Sequence, residues 1–236
     1  MNIIVLAAGE NYIDSNDKNY PLCLSEINGV SIIQKISEQV SFNKGSTVFL
    51  FQEKHIRKFH LDNIVDLLSQ KRSSVFPIPE NTSGAACTAL LGVVDLNQSE
   101  PLLIISANQL IDIDFEKFVE FMHESDSDAG TIIFDSIHPR YSYVLLDNAG
   151  LVIEASEKKP ISRDATAGVY WFKKTGEFTE SVKNMIRKDA RIDDNFYICP
   201  SFNEMILKGL KISAVKIMAS QYHPLKSMNQ VEFQHR

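Results

Sequence analysis

Three groups of residues in this 236-residue chain have types and spacings that could do chemistry. Glu157-Lys158-Lys159 sets an acid beside two bases, just before Pro160, where a solvated turn accounts for them about as well. Asp112-Ile113-Asp114 spaces two carboxylates as a metal-holding pair would. Asp114 also fits as the cap of a following helix, and this plainer expectation is preferred because the pair does not end a strand. The third group comprises the small and polar residues that close two apolar runs, Ala7-Ala8-Gly9 and Ser106-Ala107-Asn108.

Other candidates reduce to ordinary structure. His55 and His60 lie among Lys54, Arg57 and Lys58 with the wrong spacing for one metal-binding helix face, so a solvated face is expected. Cys23, Cys87 and Cys199 form an odd, widely spaced set without metal-ligand spacing, which reads as three reduced thiols. Gly9-x-Asn11 lacks the glycines and lysine of a Walker or dinucleotide loop. Trp171 sits in a strand pattern and is expected in the core.

The elements that must position these residues alternate. Apolar runs at 3–8, 46–51, 74–78 and 102–106 read as strands, and the last, Leu-Leu-Ile-Ile-Ser, has the pattern of a strand buried on both faces. Helical periodicity predicts helices over 31–42, 54–69, 83–96 and 114–124, with Asp114 as a cap and a strand returning at 130–134. Strands alternating with helices imply a mainly parallel sheet covered on both sides, whose ligands lie beyond the carboxyl ends of the strands. The second half changes character. Strands at 142–146 and 151–155 flank the turn Asp147-Asn148-Ala149-Gly150, and a strand follows at 167–172. Helices are expected at 177–187 and 200–207, with the last strand at 212–217. With no linker and no repeat, one α/β domain is expected, made of residues 1–135 and 136–236 as two halves. Its sheet is mixed, mainly parallel and flanked by helices.

A net charge of −6 gives no general footprint for nucleic acid. No run approaches the ~18 apolar residues that a bilayer demands, and Met1–Ala8 is not the pattern of a signal peptide. Apolar residues at 44% and charged residues at 23% argue against disorder. Neither a nucleic acid nor a membrane is an expected partner, and the expected location is cytoplasmic.

The chain resembles the sugar-phosphate nucleotidylyltransferases from end to end. Leu6-Ala7-Ala8-Gly9 and Asn28-Gly29 match the two ends of the family's opening. Asn81-Thr82-Ser83-Gly84-Ala85-Ala86 looks like its base-contacting segment, and Pro101–Leu110 like its metal-site strand. His138–Tyr143, Glu157–Pro160, Thr166–Tyr170 and Phe196–Glu204 look like the acceptor side. The resemblance implies a Rossmann-like fold shared with many glycosyltransferases and transfer of a nucleotide from an NTP to a phosphorylated sugar or similar acceptor, with Mg²⁺. It implies nucleotide contacts at Leu6, Ala7, Ala8, Gly9, Gly84 and Ala107, and acceptor contacts at Tyr143, Glu157, Lys158 or Lys159, Gly168 and Tyr170.

Departures fall on one side. In the family frame Asn11 stands for a glycine, Ile13 for an arginine, Leu22 for a lysine and Asn108 for the metal-binding aspartate. The segment 225–232 matches the carboxyl-terminal motif only faintly and supplies no second metal carboxylate. Lys18 is a candidate substitute for the lost lysine, with Asp112 for the lost acid. The loop Glu10–Tyr20 carries three acids against one lysine, a net charge of −2 that is wrong for wrapping a triphosphate. The expectation is a catalytically impaired member that works in making a surface polysaccharide, of capsule or lipopolysaccharide type. It would bind an acceptor or pair with an active enzyme or with its own copies, and need Mg²⁺ only if active. The alternatives are a working transferase that makes an NDP- or CDP-activated sugar or related phosphate, and a purely structural interaction protein.

Overall fold

The computed structural model describes residues 1–9 and 20–225. In chain order these form β1 (Asn2–Leu6), a 3-10 turn at Leu22–Leu24, β2 (Glu26–Ile27), β3 (Val30–Ser31), α1 (Ile32–Gln39), β4 (Thr47–Gln52), α2 (Glu53–Phe59), α3 (Leu61–Ser69) and β5 (Ser73–Ile78). There follow α4 (Ala85–Gly92), β6 (Leu102–Ser106), β7 (Gln109–Ile111), α5 (Phe115–Glu124) and β8 (Ala129–Asp135). The rest are β9 (Ser142–Leu146), β10 (Val152–Glu157), β11 (Asp164–Phe172), α6 (Thr175–Arg187), α7 (Ser201–Ile206), β12 (Ile212–Lys216), a 3-10 turn at Ala219–Gln221 and β13 (Tyr222–Pro224).

A nine-stranded mixed sheet runs β10-β9-β11-β6-β1-β4-β5, with β8 on β11 and β12 on β8. The stretch β6-β1-β4-β5 is parallel, and β11 joins it antiparallel to β6, so the sheet is continuous across both halves of the chain. Alternation along the strands explains the layering. Ile3, Val5, Phe49, Phe51, Leu103 and Ile105 face α1, α3 and α5, whereas Ile4, Val48, Leu50, Leu102 and Ile104 face α4, α6 and α7. Each fully buried side chain of this kind is worth about 1.5–3 kcal/mol. Strands wet on neither face read as unbroken apolar runs for this reason, and the helices supply the cover. Pro77 is tolerated because β5 is an edge.

Register places the site. Leu6 pairs with both Leu50 and Ser106, so the carboxyl ends of β1, β4 and β6 are level. The amide of Ala107 donates to the Leu6 carbonyl at 2.9 Å, and that of Ala7 to the Leu50 carbonyl at 3.0 Å. The two small-residue turns therefore lie side by side.

Three expectations need correction. The helix read over 54–69 is two, because His60 adopts a left-handed backbone (φ 52°) between α2 and α3. His55 is not on a solvated face. The short helix α2 turns it inward beside Phe59, it is buried, and its Nε2 has no partner. The strand at 212–217 is not the last. β13 follows it and pairs antiparallel with β7, through Tyr222 to Ile111 and Pro224 to Gln109. Trp171 is in the core as expected, and Asp114 caps α5 by accepting from the amides of Glu116 and Lys117.

Candidate functional site at the ends of the strands

Two adjoining clefts open at the carboxyl ends of β1 and β6 and share Leu6, Ala85, Ser106 and Asn108. The larger, about 420 Å³, is lined by Ala7, Ala8, Gly9, Gly84 and Ala107 among others, which brings together the residues matched to the nucleotide side. Gly84 has φ 97°, and a Cβ there would lie 2.5 Å from the Phe196 carbonyl oxygen. That contact is fixed by the amide of Ala86 donating to the same carbonyl and the amide of Phe196 donating to that of Ser83. A side chain at 84 would break this close approach, so the glycine is a requirement of the turn.

The described lining of this cleft is almost neutral. Among its described residues the charged one is Glu80, whose carboxylate pairs with Lys54 at 3.1 Å. Leu22, at the position matched to a lysine, is buried in the 3-10 turn and packs into the core as it reaches the cleft wall. Cys23 beside it is buried, which pushes its thiol up to about 12. Ile13 and Lys18, with Asn11 and the segment 226–232, lie outside the described residues. Gln52 was not singled out from the sequence. Its Nε2 donates to the Ala8 carbonyl at 2.9 Å, while its buried Oε1 has no partner on the cleft wall. A lone polar residue closing an apolar strand was the available signal.

Asn108 stands at the junction of the clefts. Its Oδ1 accepts from Ser106 Oγ at 2.8 Å, and its carbonyl accepts from the Leu225 amide at 2.8 Å. Asp112 lies elsewhere, with a carboxylate oxygen 2.7 Å from His223 Nε2, and lines neither cleft. No group of three or more acid, cysteine or histidine side chains among the described residues could hold a metal ion. A neutral amide oxygen already engaged by Ser106 leaves a divalent charge uncompensated, so the described residues here do not fit Mg²⁺.

The second cleft, about 260 Å³, is charged. It is lined by Arg140, Glu157 and Lys158, with Tyr141, Tyr170, Tyr197 and Tyr222. Glu157 pairs with Ser142 across β9 and β10, and the Ser142 hydroxyl donates to its carboxylate. Burial raises the Glu157 carboxyl above its usual range, and that hydroxyl opposes the shift in part. Lys158 leaves the strand in a left-handed turn (φ 56°), which carries its amine over the Tyr197 ring and to Asp193 at 2.8 Å. Asp193 holds the Lys158 ammonium more firmly protonated than usual, and Tyr197 adds to this. Of the two lysines left open by the sequence, Lys158 lines the second cleft, while Lys159 is exposed and lines neither.

Thr166, Gly168 and Tyr170 alternate along β11 and present one face to the cleft. The Tyr170 hydroxyl lies 3.0 Å from that of Thr166, and burial raises its pKa well above the usual value. Tyr143 belongs to the opposite face of β9 from Ser142. It is fully buried, donates to the His138 carbonyl at 2.7 Å and does not line the cleft, so the match to an acceptor contact does not place it there.

Comparison with known proteins gives this arrangement its context. A nucleoside-diphosphate-sugar pyrophosphorylase from Vibrio cholerae RC9 superimposes with a TM-score of 0.82 at 18% identity, over 99% of this chain and 98% of that one. A UDP-glucose pyrophosphorylase solved with UDP-glucose superimposes with a TM-score of 0.77 at 14% identity, over 100% of this chain and 99% of the other. At such identities the likeness shows the fold. No curated protein sequence matches the chain. A family model described as nucleotidyl transferase matches residues 21–206, most of the chain, which therefore belongs to the nucleotidyl transferase family.

Proposed function

We propose that this protein binds a phosphorylated sugar or similar acceptor on its carboxyl-terminal side and is impaired in nucleotidyl transfer. The observation that carries this is the distribution of charge: Arg140 and Lys158 line the acceptor-side cleft, while Glu80 is the one charged residue among the described lining of the nucleotide-side cleft. Transfer to phosphorus proceeds through positioning and neutralisation of anionic oxygens, so a neutral wall supplies little of it. Leu22 and Asn108 stand where the family frame has a lysine and a metal-binding aspartate. The acceptor would lie with its hydroxyls toward Glu157 and its phosphate toward Lys158. The setting that follows is nucleotide-sugar metabolism for a surface polysaccharide in the cytoplasm, with an active enzyme or a second copy as partner.

A working transferase is the second reading, and the intact Gly84 turn and the shared edge of the two clefts favour it. One assay separates them. Pyrophosphate release is followed with each of the four common NTPs, Mg²⁺ and a panel of sugar phosphates. The proposal expects none above background. Sustained release with any pair overturns it in favour of the second reading.

A further inference from the structure

Arg140 is the residue of the acceptor-side cleft with the most elaborate support. Its amide donates to His138 Nδ1 at 3.2 Å, fixing the turn that precedes β9. Its guanidinium lies over the Tyr141 ring, 4.6 Å from the centroid, and donates to the hydroxyl of the same tyrosine. Tyr141 is itself braced edge-on by Phe134 at 5.1 Å and by Tyr222 at 5.7 Å, and Phe134 and Tyr222 stack face to face at 4.2 Å. Tyr222 is delivered by β13, which returns from the end of the described chain to pair with β7 just beyond Asn108. The guanidinium is thus held by one aromatic ring, Tyr141, which Phe134 and Tyr222 brace in turn.

With that support, one donor is left over. Arg140 Nε is buried and has no partner, although the residue lines the cleft. That N–H is shielded from solvent, so it shows a guanidinium the protein does not fully satisfy, while the residue as a whole borders the cleft where an anionic oxygen could add a charge-assisted bond. Neighbouring carboxylates do not serve. Glu157 is bonded by Ser142 and Asp193 by Lys158. The backbone of Lys158 is tied to Tyr141, its amide donating to that carbonyl at 3.0 Å, so the two cations of the cleft are mounted on one frame.

From this geometry we infer that Arg140 receives the anionic group of the ligand, a phosphate monoester, with Lys158 as the second cation. The inference rests on the acceptor-side reading above and adds a binding residue to it. The Tyr141 face holds the guanidinium plane in place, so the fork is formed before the ligand arrives and little side-chain freedom is lost on binding. Lys158 must leave Asp193 to join, whereas among the described residues no carboxylate pairs with the Arg140 guanidinium, so Arg140 contributes the larger part of the affinity.

Calorimetry and ³¹P NMR line broadening with glucose 1-phosphate and with inorganic phosphate test this on the whole chain, comparing the unmodified protein with Arg140→Ala and Arg140→Lys. Thermal melts confirm that both variants are folded. The expected result is a loss of about 10-fold or more in affinity for both ligands in Arg140→Ala. Arg140→Lys, which keeps the charge but not the fork or the stacking, should lose less. Unchanged binding of glucose 1-phosphate in Arg140→Ala overturns the assignment and leaves the acceptor reading standing. Arg140-dependent binding of inorganic phosphate without any binding of sugar phosphate does the reverse. Failure of the unmodified chain to bind either ligand overturns both.

Discussion

The two clefts hang from the same strand ends and share four residues, yet they differ in kind. On the nucleotide side the backbone is demanding and the side chains are bland: Gly84 fits against Phe196 with no room for a methyl group, while the described wall is neutral apart from Glu80. On the acceptor side the backbone also has its irregularities, a register shift in β11 about Gly168 (φ 70°) and the left-handed turn at Lys158, but the side chains carry the charge, with Arg140, Glu157 and Lys158 each held by named partners. The contrast teaches that cleft shape and cleft charge are separable. Shape follows from the packed sheet, which every member of the fold must keep to stay folded. Charge at the rim adds little to stability and can be lost without disturbing the frame.

If frame and charge are separable, restoring charge alone should revive the nucleotide side. Ile13→Arg, Leu22→Lys and Asn108→Asp together should raise pyrophosphate release by about 10³-fold or more over the unmodified chain, each change alone giving far less. Folding of the variant is checked by thermal melt. A folded triple variant with no gain would break the comparison, because the frame would then be defective as well.

The glycines sharpen it next. Gly84→Ala sets a methyl group against backbone at a positive φ and should cost about 3 kcal/mol in denaturant unfolding. Gly168→Ala (φ 70°) meets the side-chain amide of Gln109 rather than backbone, and should cost less, about 1–2 kcal/mol. Equal losses would remove the distinction between a backbone-built cleft and a side-chain-built one.

Acidity gives a smaller, signed effect. Burial raises the Glu157 carboxyl in the folded state above its ordinary value of 4.5. Its favourable contribution is therefore complete below that pH and is lost as pH rises through the folded value. Glu157→Gln should gain stability relative to the unmodified chain as pH is raised from about 4.5, as read by denaturant midpoints. A difference independent of pH would mean that the carboxyl is not desolvated. The smallest change is expected at Asp112. Its exposed contact with His223 pins β13 weakly, and Asp112→Asn should cost less than about 1 kcal/mol and leave phosphate binding intact.

Much of this frame was legible in the chain. Leu102–Ser106 announced itself as a doubly buried strand, Asp114 as a cap, and Asp147–Gly150 as a hairpin turn, in which Asp147 Oδ1 accepts from the amides of Ala149 and Leu151. These signals are local. The ladder between β7 and β13 was not legible, because three-residue strands carry no periodicity and even the nearest partners, Tyr222 and Ile111, lie 111 residues apart. His60 broke a helix without proline or glycine to mark the place. At the site, Glu157 and Lys158 could be named from sequence, but the role of Arg140 depends on Tyr141 and on Tyr222 from a distant strand. Tyr143, matched to the acceptor side, lies buried on the face of β9 away from the cleft, because a match to a motif does not say which face of a strand a residue occupies.

In the proposed division of labour one cleft holds a phosphorylated ligand and the other does not hold a metal–nucleotide. Calorimetric titration of the unmodified chain with glucose 1-phosphate and with each NTP, in the presence and absence of Mg²⁺, tests both parts together. The account predicts binding of the sugar phosphate that is indifferent to Mg²⁺ and no measurable binding of any NTP. Tight, Mg²⁺-dependent binding of an NTP would contradict it.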